Sequence, residues 1–232
     1  YLFLFGFFAC TFLAVTPGLY FRTQYFLLWV PALSLLAGVG FEILTSGFSS
    51  SRVKTTISLI TLALVLGLPV LTQKRILFTM PVNEVTRMIY GLNPFSESLE
   101  IAQYIRDHTK KEDKIAVLGS EPQIYFYSQR KSATRHLYMY PLMEKHVYAR
   151  KMQDEMIREI EGAQPKFVVM AKTAGTWVST RPDFSPALKD WAQGYLKREY
   201  EIDGVVDLFP HKETLYRWGN QAQEYMPQSM HH

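Results

Sequence analysis

Charge is nearly absent from the first third of this sequence. Of its 25 basic and 21 acidic residues, only four fall within the first 72 positions: Arg22, Glu42, Arg52 and Lys54. The rest of the chain mixes residues of both signs. This division excludes a single globular domain of uniform composition, and it predicts an apolar segment joined to a water-soluble one.

The sequence also lacks the motifs of several common functional classes. Cys10 is its one cysteine, which excludes a disulfide framework and a cysteine-based metal site within these residues. The histidines follow no His-Glu-x-x-His spacing, and there is no Gly-x-Gly-x-x-Gly motif, so neither a metal site nor a dinucleotide cofactor is predicted. The net charge of +4 is not gathered into basic runs, which argues against nucleic acid as a partner.

Three apolar runs predict transmembrane helices, over residues of about 1–16, 24–44 and 55–72. Each is close to the roughly 20 residues that cross the hydrocarbon core of a bilayer. The alternative, three buried helices of a soluble protein, would require the rest of the chain to cover them all. Tyr1 lies within an apolar run that has no basic flank, unlike a secretory signal. We therefore interpret the chain as the C-terminal part of a longer membrane protein.

Basic residues near the predicted spans give a weak indication of orientation. The positive-inside rule favours a cytoplasmic tail. The side of the tail carries Arg22, Lys74, Arg75 and Arg87, and the opposite side carries Arg52 and Lys54.

The region from 94 to 222 alternates between strand and helix patterns, after a predicted linker over 73–93 and before a tail over 223–232. Strands are predicted at Lys114–Leu118, Arg130–Leu137 and Lys166–Ala171, with a closing hairpin of Tyr200–Phe209 and Glu213–Trp218. Helices are predicted from Asn93-Pro94 to His108, after Pro122, over Glu144–Glu161 with Gly162 as C-cap and an Asp154–Arg158 pair, and from Ser185-Pro186. This order predicts a small three-layer α/β domain with a mixed sheet and an antiparallel hairpin at one edge.

Two features of the soluble region are candidate binding sites. The loop Gly119-Ser120-Glu121-Pro122 joins a strand to a helix, where open α/β sheets bind ligands, although a purely structural turn would have the same pattern. Several tyrosines also flank basic residues, which could stack on a sugar and hold a phosphate or form a half-buried packing cluster. These residues are Tyr125, Tyr127, Tyr138, Tyr140 and Tyr148, with Arg130, Lys131, Arg135 and His136.

Arg22 is the candidate site residue of the apolar region. It lies between two predicted spans, beside Tyr20 and Tyr25. A cation there either anchors the helices by reaching the headgroups or holds a lipid phosphate.

One segment of the apolar region carries a family resemblance. Residues 17–38, Pro-Gly-Leu-Tyr-Phe-Arg-Thr-Gln-Tyr-Phe-Leu-Leu-Trp-Val-Pro-Ala-Leu-Ser-Leu-Leu-Ala-Gly, resemble the late transmembrane region of bacterial family 39 glycosyltransferases, the dolichyl-phosphate-mannose-mannosyltransferase-like membrane enzymes. Residues 114–143 and 148–169 look like the C-terminal domain attached to some of these proteins. The shared pattern is a basic residue, a nearby tyrosine, an apolar run, then proline and Leu-Leu-Ala-Gly.

The resemblance implies a multi-span GT-C fold in the bacterial inner membrane, with its tail outside the cytoplasm, against the weak charge count. It implies transfer of a sugar from a polyprenyl-phosphate carrier to an envelope acceptor. Arg22 and Tyr25 match the family's basic-then-tyrosine position near the carrier phosphate. The family's catalytic carboxylate lies in an early loop, upstream of residue 1, so no catalytic residue is assigned and these residues alone are expected to be inactive.

A non-enzymatic function is the alternative. In that case the apolar helices would anchor an α/β binding or assembly module at the membrane. A transporter is less favoured, because no ionisable residue lies in the middle of a predicted span.

Overall fold

A computed structural model describes residues 2–17, 21, 23–172, 177, 187–210 and 212–229. The chain divides into two compact units, Tyr1–Thr79 and Met80–His232.

The first unit is built from apolar helices. Its elements are α1 (Leu2–Val15), a 3₁₀ segment (Thr23–Leu28) that continues into α2 (Trp29–Ser46), α3 (Ser51–Thr72) and a π-helical turn (Arg75–Thr79). Within the described residues, Gln24–Ser46 and Ser51–Thr72 are long and apolar enough to cross a membrane. The 14 residues of α1 rise only about 21 Å, short of the roughly 30 Å hydrocarbon core. The model therefore shows two helices of spanning length where the sequence predicted three.

Aromatic packing joins α1 to α2. The indole of Trp29 lies 5.6 Å from the rings of both Phe8 and Phe12, and 5.3 Å from that of Phe26, measured between centroids. Hydroxyl groups within these helices donate to carbonyls one turn earlier, as Ser34 does to Val30 at 2.7 Å. Such bonds satisfy a polar side chain inside an apolar helix.

The second unit contains a short parallel sheet and a separate hairpin. Its helices are α4 (Val82–Tyr90), α5 (Glu97–Asp107), α6 (Gln123–Ser128), α7 (Tyr140–Met143), α8 (Ala149–Ala163), α9 (Ala187–Glu199) and α10 (Asn220–Gln223). Its strands are β1 (Lys114–Leu118), β2 (Lys131–Ser132), β3 (Phe167–Met170), β4 (Gly204–Asp207) and β5 (Leu215–Trp218). The sheet order is β2-β1-β3, and both pairings are parallel.

Strand β1 is the centre of the core because both of its faces are covered. Ile115 and Val117 pack on one side with residues of α5 and α6, among them Ile105 and Ile124. Ala116 and Leu118 pack on the other side in a larger cluster with α7, α8 and α9, which includes Leu142, Met156, Ile160 and Leu188. The continuous apolar sequence of β1 follows from this burial on two faces.

The predicted mixed sheet is wrong, because the hairpin does not join it. Strands β4 and β5 pair antiparallel with each other in a sheet of their own. The ring of Tyr104 on α5 stacks on Trp218 of β5 with centroids 4.2 Å apart. This contact packs the hairpin against α5, and the described strands of the hairpin make no pairing with the parallel sheet.

Other predicted boundaries also need correction. The strand expected at Arg130–Leu137 is only Lys131–Ser132. It ends there because the Thr134 amide donates to Ser132 Oγ and the Arg135 amide to Glu159 Oε2, so neither amide continues the sheet. Helix α5 begins at Glu97, with Ser96 rather than Asn93 at the N-cap position.

The long predicted helix also differs in detail. Helix α8 starts at Ala149, after the separate turn of α7, and ends at Ala163. Gly162 lies inside it, and Gln164 takes the left-handed C-cap conformation with a φ of 43°. The Asp154 carboxylate pairs with Arg150, at 3.1 Å, and Arg158 Nε donates instead to the backbone carbonyl of Asp154 at 3.2 Å. Ser185 and Pro186 lie outside the described residues, and α9 is described from Ala187.

Candidate functional site at the end of the parallel sheet

The loop Ser120–Glu121 lies at the carboxyl end of β1, next to the end of β3. The register pairs Leu118 with Met170, and the amide of Ala171 then donates to the Leu118 carbonyl at 3.1 Å. The ends of the two strands are therefore held together. In open α/β sheets this is the edge where ligands bind.

The Glu121 side chain folds back over Gly119 toward β3. A Cβ atom at position 119 would lie 2.2 Å from Glu121 Oε2 and 2.7 Å from the Ala171 Cβ. Neither separation is sterically allowed, so glycine at this position leaves the space that the carboxyl group occupies. Glycine directly after a buried strand was the sequence signal for this close approach, but the sequence did not show which side chain makes it.

Glu121 is buried without a partner for one of its oxygens. Its side chain is 5% exposed, and Oε2 has no hydrogen-bond partner among the described residues. The same holds for Oγ of Ser120. An unsatisfied buried polar group costs about 1–3 kcal/mol, so two adjacent ones call for a functional explanation.

The electrostatics of Glu121 follow from its burial. Removal from water raises the pKa of its carboxyl group to about 7, against a smaller lowering by the backbone N–H of Ser120. Near neutral pH the group therefore exists in both protonation states. It can donate a hydrogen bond in one state and accept hydrogen bonds in the other.

Ala171 and Trp177 lie on the β3 side of the site. Trp177 Nε1 donates to the Ala171 carbonyl at 2.7 Å, and Trp177 belongs to the larger apolar cluster of the unit. Residues 173–176 and 178–186 lie outside the described part of the chain.

Four of the tyrosine and basic residues predicted as a second site make separate contacts. Tyr125 is buried and accepts the Val117 N–H at 2.8 Å, while Arg130 holds α5 and the loop after α6. Arg135 Nε donates to Glu159 Oε1 at 2.5 Å, and His136 Nε2 lies 3.6 Å from Glu155 Oε2. These basic groups serve separate structural contacts.

A charged groove of about 530 Å³ lies beside the Arg135–Glu159 pair. Burial alone would raise the pKa of Glu159, but hydrogen bonds from Arg135 and Thr134 and the charge of Arg135 lower it. The carboxylate of Glu159 accepts the Thr134 hydroxyl and the Arg135 N–H, which pins the loop after β2 onto α8.

The two apolar-region candidates belong to the other unit. Arg22 lies outside the described residues. Tyr25 lies on the 3₁₀ segment with its side chain exposed. The pairing of Arg22 with Tyr25 at a lipid phosphate stays a prediction.

One family model matches this chain. Residues 95–200 match the model described as "Putative competence-induced protein Ccs4 C-terminal domain". The matched region runs from the start of α5 to the end of α9, and so contains the parallel sheet and the Ser120–Glu121 loop. No curated protein and no solved structure matches the chain.

Proposed function

We propose that the α/β unit is a ligand-binding module held at a membrane by the apolar helices, with Ser120 and Glu121 in its binding loop. The observation that carries this proposal is the buried carboxyl group of Glu121, one oxygen of which has no partner among the described residues, at the carboxyl end of a parallel sheet. The two helices of spanning length support the membrane location.

The chemistry of the loop favours a neutral ligand rich in hydroxyl groups, such as a sugar. A carboxyl group with a pKa near 7 and a serine hydroxyl can both donate and accept hydrogen bonds. A phosphate would instead meet a partly ionised carboxylate, and the loop itself carries no basic residue.

Ligand-observed NMR on the full chain in lipid nanodiscs tests this function. The probes are methyl glycosides of common envelope hexoses and pentoses, with inorganic phosphate as the anionic comparison. We expect saturation transfer to one or more of the glycosides. Glu121→Leu should weaken their binding at least tenfold, which corresponds to about 1.4 kcal/mol, and Ser120→Ala should weaken it less. Glu112→Gln, in an exposed turn, is the matched control. Glycoside binding that survives Glu121→Leu would contradict the assignment of this loop.

A second candidate is the family 39 glycosyltransferase function. The resemblance of residues 17–38 and of the soluble segments supports it, as does the presence of apolar helices before the α/β unit. In this proposal the chain is the C-terminal part of a multi-pass enzyme of the bacterial inner membrane, with the α/β unit outside the cytoplasm. The module would then hold the acceptor or cover the active site, and Arg22 with Tyr25 would approach the carrier phosphate of the polyprenyl-linked donor.

The coding region upstream of Tyr1 distinguishes the two candidates. Several further apolar spans, with an aspartate or glutamate in the loop after the first, are expected for the enzyme. Replacing that carboxylate with alanine should abolish sugar transfer in the complete protein, and Arg22→Ala should weaken donor binding. An upstream region without such spans would leave a non-enzymatic binding or assembly module. Normal transfer and donor affinity in Arg22→Ala would remove the role of that residue.

A further inference from the structure

Arg87 joins helix α4 to the rest of its unit. Arg87 Nη2 forms an ion pair with Glu97 Oε1 at the start of α5 and lies 3.4 Å from the hydroxyl of Thr214. Its Nη1 donates to the Gly91 carbonyl at 2.9 Å. Glu97 is buried, so this contact fixes which side of α4 faces the unit.

Most of the apolar side of α4 is nevertheless exposed, and only Val85 on that side is half-buried. Ile89 comes two residues after Arg87, which places it about 200° around the helix, on nearly the opposite side. Val82, Met88 and Ile89 are 82%, 54% and 58% exposed. The adjoining rings of Tyr90 and Phe95, 4.9 Å apart between centroids, are exposed as well. A surface helix normally buries its apolar side, so the exposure of Val82, Met88 and Ile89 indicates an apolar environment outside the unit.

The position of α4 in the chain indicates what that environment is. Only residues 73–81 separate its first residue from the end of α3, one of the two helices long enough to cross a membrane. Even fully extended, this connection spans at most about 36 Å. It includes Lys74 and Arg75, whose charges complement anionic lipid headgroups. If α3 is in a bilayer, α4 is therefore held within reach of its surface.

We propose that α4 lies in the lipid interface, with Val82, Met88 and Ile89 inserted at the boundary between headgroups and acyl chains. An amphipathic helix in this position buries its apolar side about 5–10 Å into the bilayer. The Arg87–Glu97 pair then transmits that position to α5 and the unit behind it. This inference rests on the membrane anchoring proposed above.

Site-specific fluorescence quenching in vesicles tests the proposal. The full chain carries Cys10→Ser, so that a single introduced cysteine can take an environment-sensitive label. The three labelled variants are Ile89→Cys on the apolar side, Asn83→Cys as an exposed polar control in the same helix, and Leu64→Cys in the middle of α3. The vesicles contain phosphatidylcholine and a minority of phosphatidylglycerol, with or without bromine on the acyl chains.

We expect bromolipid to quench the Ile89 label about threefold more strongly than the Asn83 label, and aqueous iodide to show the reverse order, as for a helix lying in the interface. Quenching of the Leu64 label with equal, weak quenching at Ile89 and Asn83 would overturn the position of α4 alone. Protection of Ile89 from both quenchers would indicate a protein partner and also overturn it. Failure of bromolipid to quench the Leu64 label would reject the membrane anchoring itself.

Discussion

Asp207 at the end of β4 and Glu121 after β1 are both buried, with 1% and 5% of their surface exposed. They differ in the hydrogen bonds that their carboxyl oxygens accept. Asp207 accepts hydrogen bonds from the Tyr225 hydroxyl at 2.7 Å, the Gln228 amide at 2.7 Å, and both the amide and the hydroxyl of Ser229. Glu121 Oε2 accepts none from the described residues.

The pKa shifts of the two carboxyl groups therefore have opposite signs. Burial alone would raise the pKa of Asp207, but the hydrogen bonds from Ser229, Tyr225 and Gln228 lower it. At Glu121 burial dominates and raises the pKa. Low solvent exposure of a carboxyl group thus has two outcomes. A carboxylate whose oxygens all accept hydrogen bonds holds a chain segment in place. A carboxyl group with an oxygen that accepts none can bind a further group.

Glu97 is an intermediate case, and removing its partner would turn it into a second unpaired carboxylate. Its Oε1 accepts from Arg87 and, at 2.7 Å, from Thr214, while Oε2 has no partner among the described residues. We expect Arg87→Ala to destabilise the α/β unit by about 4 kcal/mol, because it leaves a buried charge uncompensated. Hydrogen exchange of the β1 amides in detergent micelles measures this change.

The control for this experiment removes the charge as well. Adding Glu97→Gln to Arg87→Ala should recover part of the lost stability, since no buried charge then remains unpaired. A double variant as unstable as Arg87→Ala alone would show that Arg87 acts through packing instead.

Glu121→Gln should stabilise the α/β unit, whereas most substitutions of buried residues destabilise a fold. The folded-state pKa is above the ordinary value of 4.5, so ionisation of Glu121 opposes folding increasingly from pH 4.5 up to about 7. Glutamine removes that term. The gain should be negligible at pH 4 and reach about 3 kcal/mol above pH 7, by the same exchange measurement. A pH-independent difference between the two proteins would contradict the raised pKa.

Asp207→Asn should have the opposite effect and destabilise the unit. The stabilisation by the carboxylate is present above its ordinary pKa of 3.8 and is lost as the pH falls through the lower folded-state value. We expect a loss of about 2 kcal/mol at neutral pH, with faster exchange at the amides of Gln228 and Ser229. Asp190→Asn, an exposed position on α9, is the control and should leave these amides unchanged.

Ser229→Ala should have the smallest effect. It removes one of the two donors from Ser229 and leaves the backbone bond, which joins Ser229 N to Asp207 Oδ1 at 3.2 Å. A loss of about 1 kcal/mol is expected, confined to the segment after α10 and measured by exchange at the same two amides. An effect as large as that of Asp207→Asn would mean that the hydroxyl alone holds this segment.

Two of the three strands of the parallel sheet could be predicted from sequence because their signals are local. Lys114–Leu118 has the bounds that its apolar run predicted, and β3 lies within the predicted Lys166–Ala171. The hairpin strands were also found, but not their separation from the sheet. That separation depends on the stacking of Tyr104 on Trp218, a contact between residues more than a hundred positions apart, which no local pattern encodes.

The sequence predicted where the candidate site lies, but not that the Glu121 side chain would be buried there. A loop after the first strand, containing Ser120 and Glu121, follows from the topology of α/β sheets. That Glu121 turns inward over Gly119 instead of outward to water depends on the approach of β3. For Arg22 the sequence resemblance predicts a role, but the residue lies outside the described part of the chain.

The parallel pairing of β1 with β3 also affects how the protein is made. Ile115 pairs with Phe167, so the two edges of the Glu121 site come from segments separated by α6, β2, α7 and α8. Closing so long a loop is slow compared with forming a hairpin. During translation, the apolar helices and β1 leave the ribosome well before β3 can cover Gly119. Glu121 therefore remains hydrated and ionised in the nascent chain. The burial that raises its pKa forms only when β3 pairs with β1.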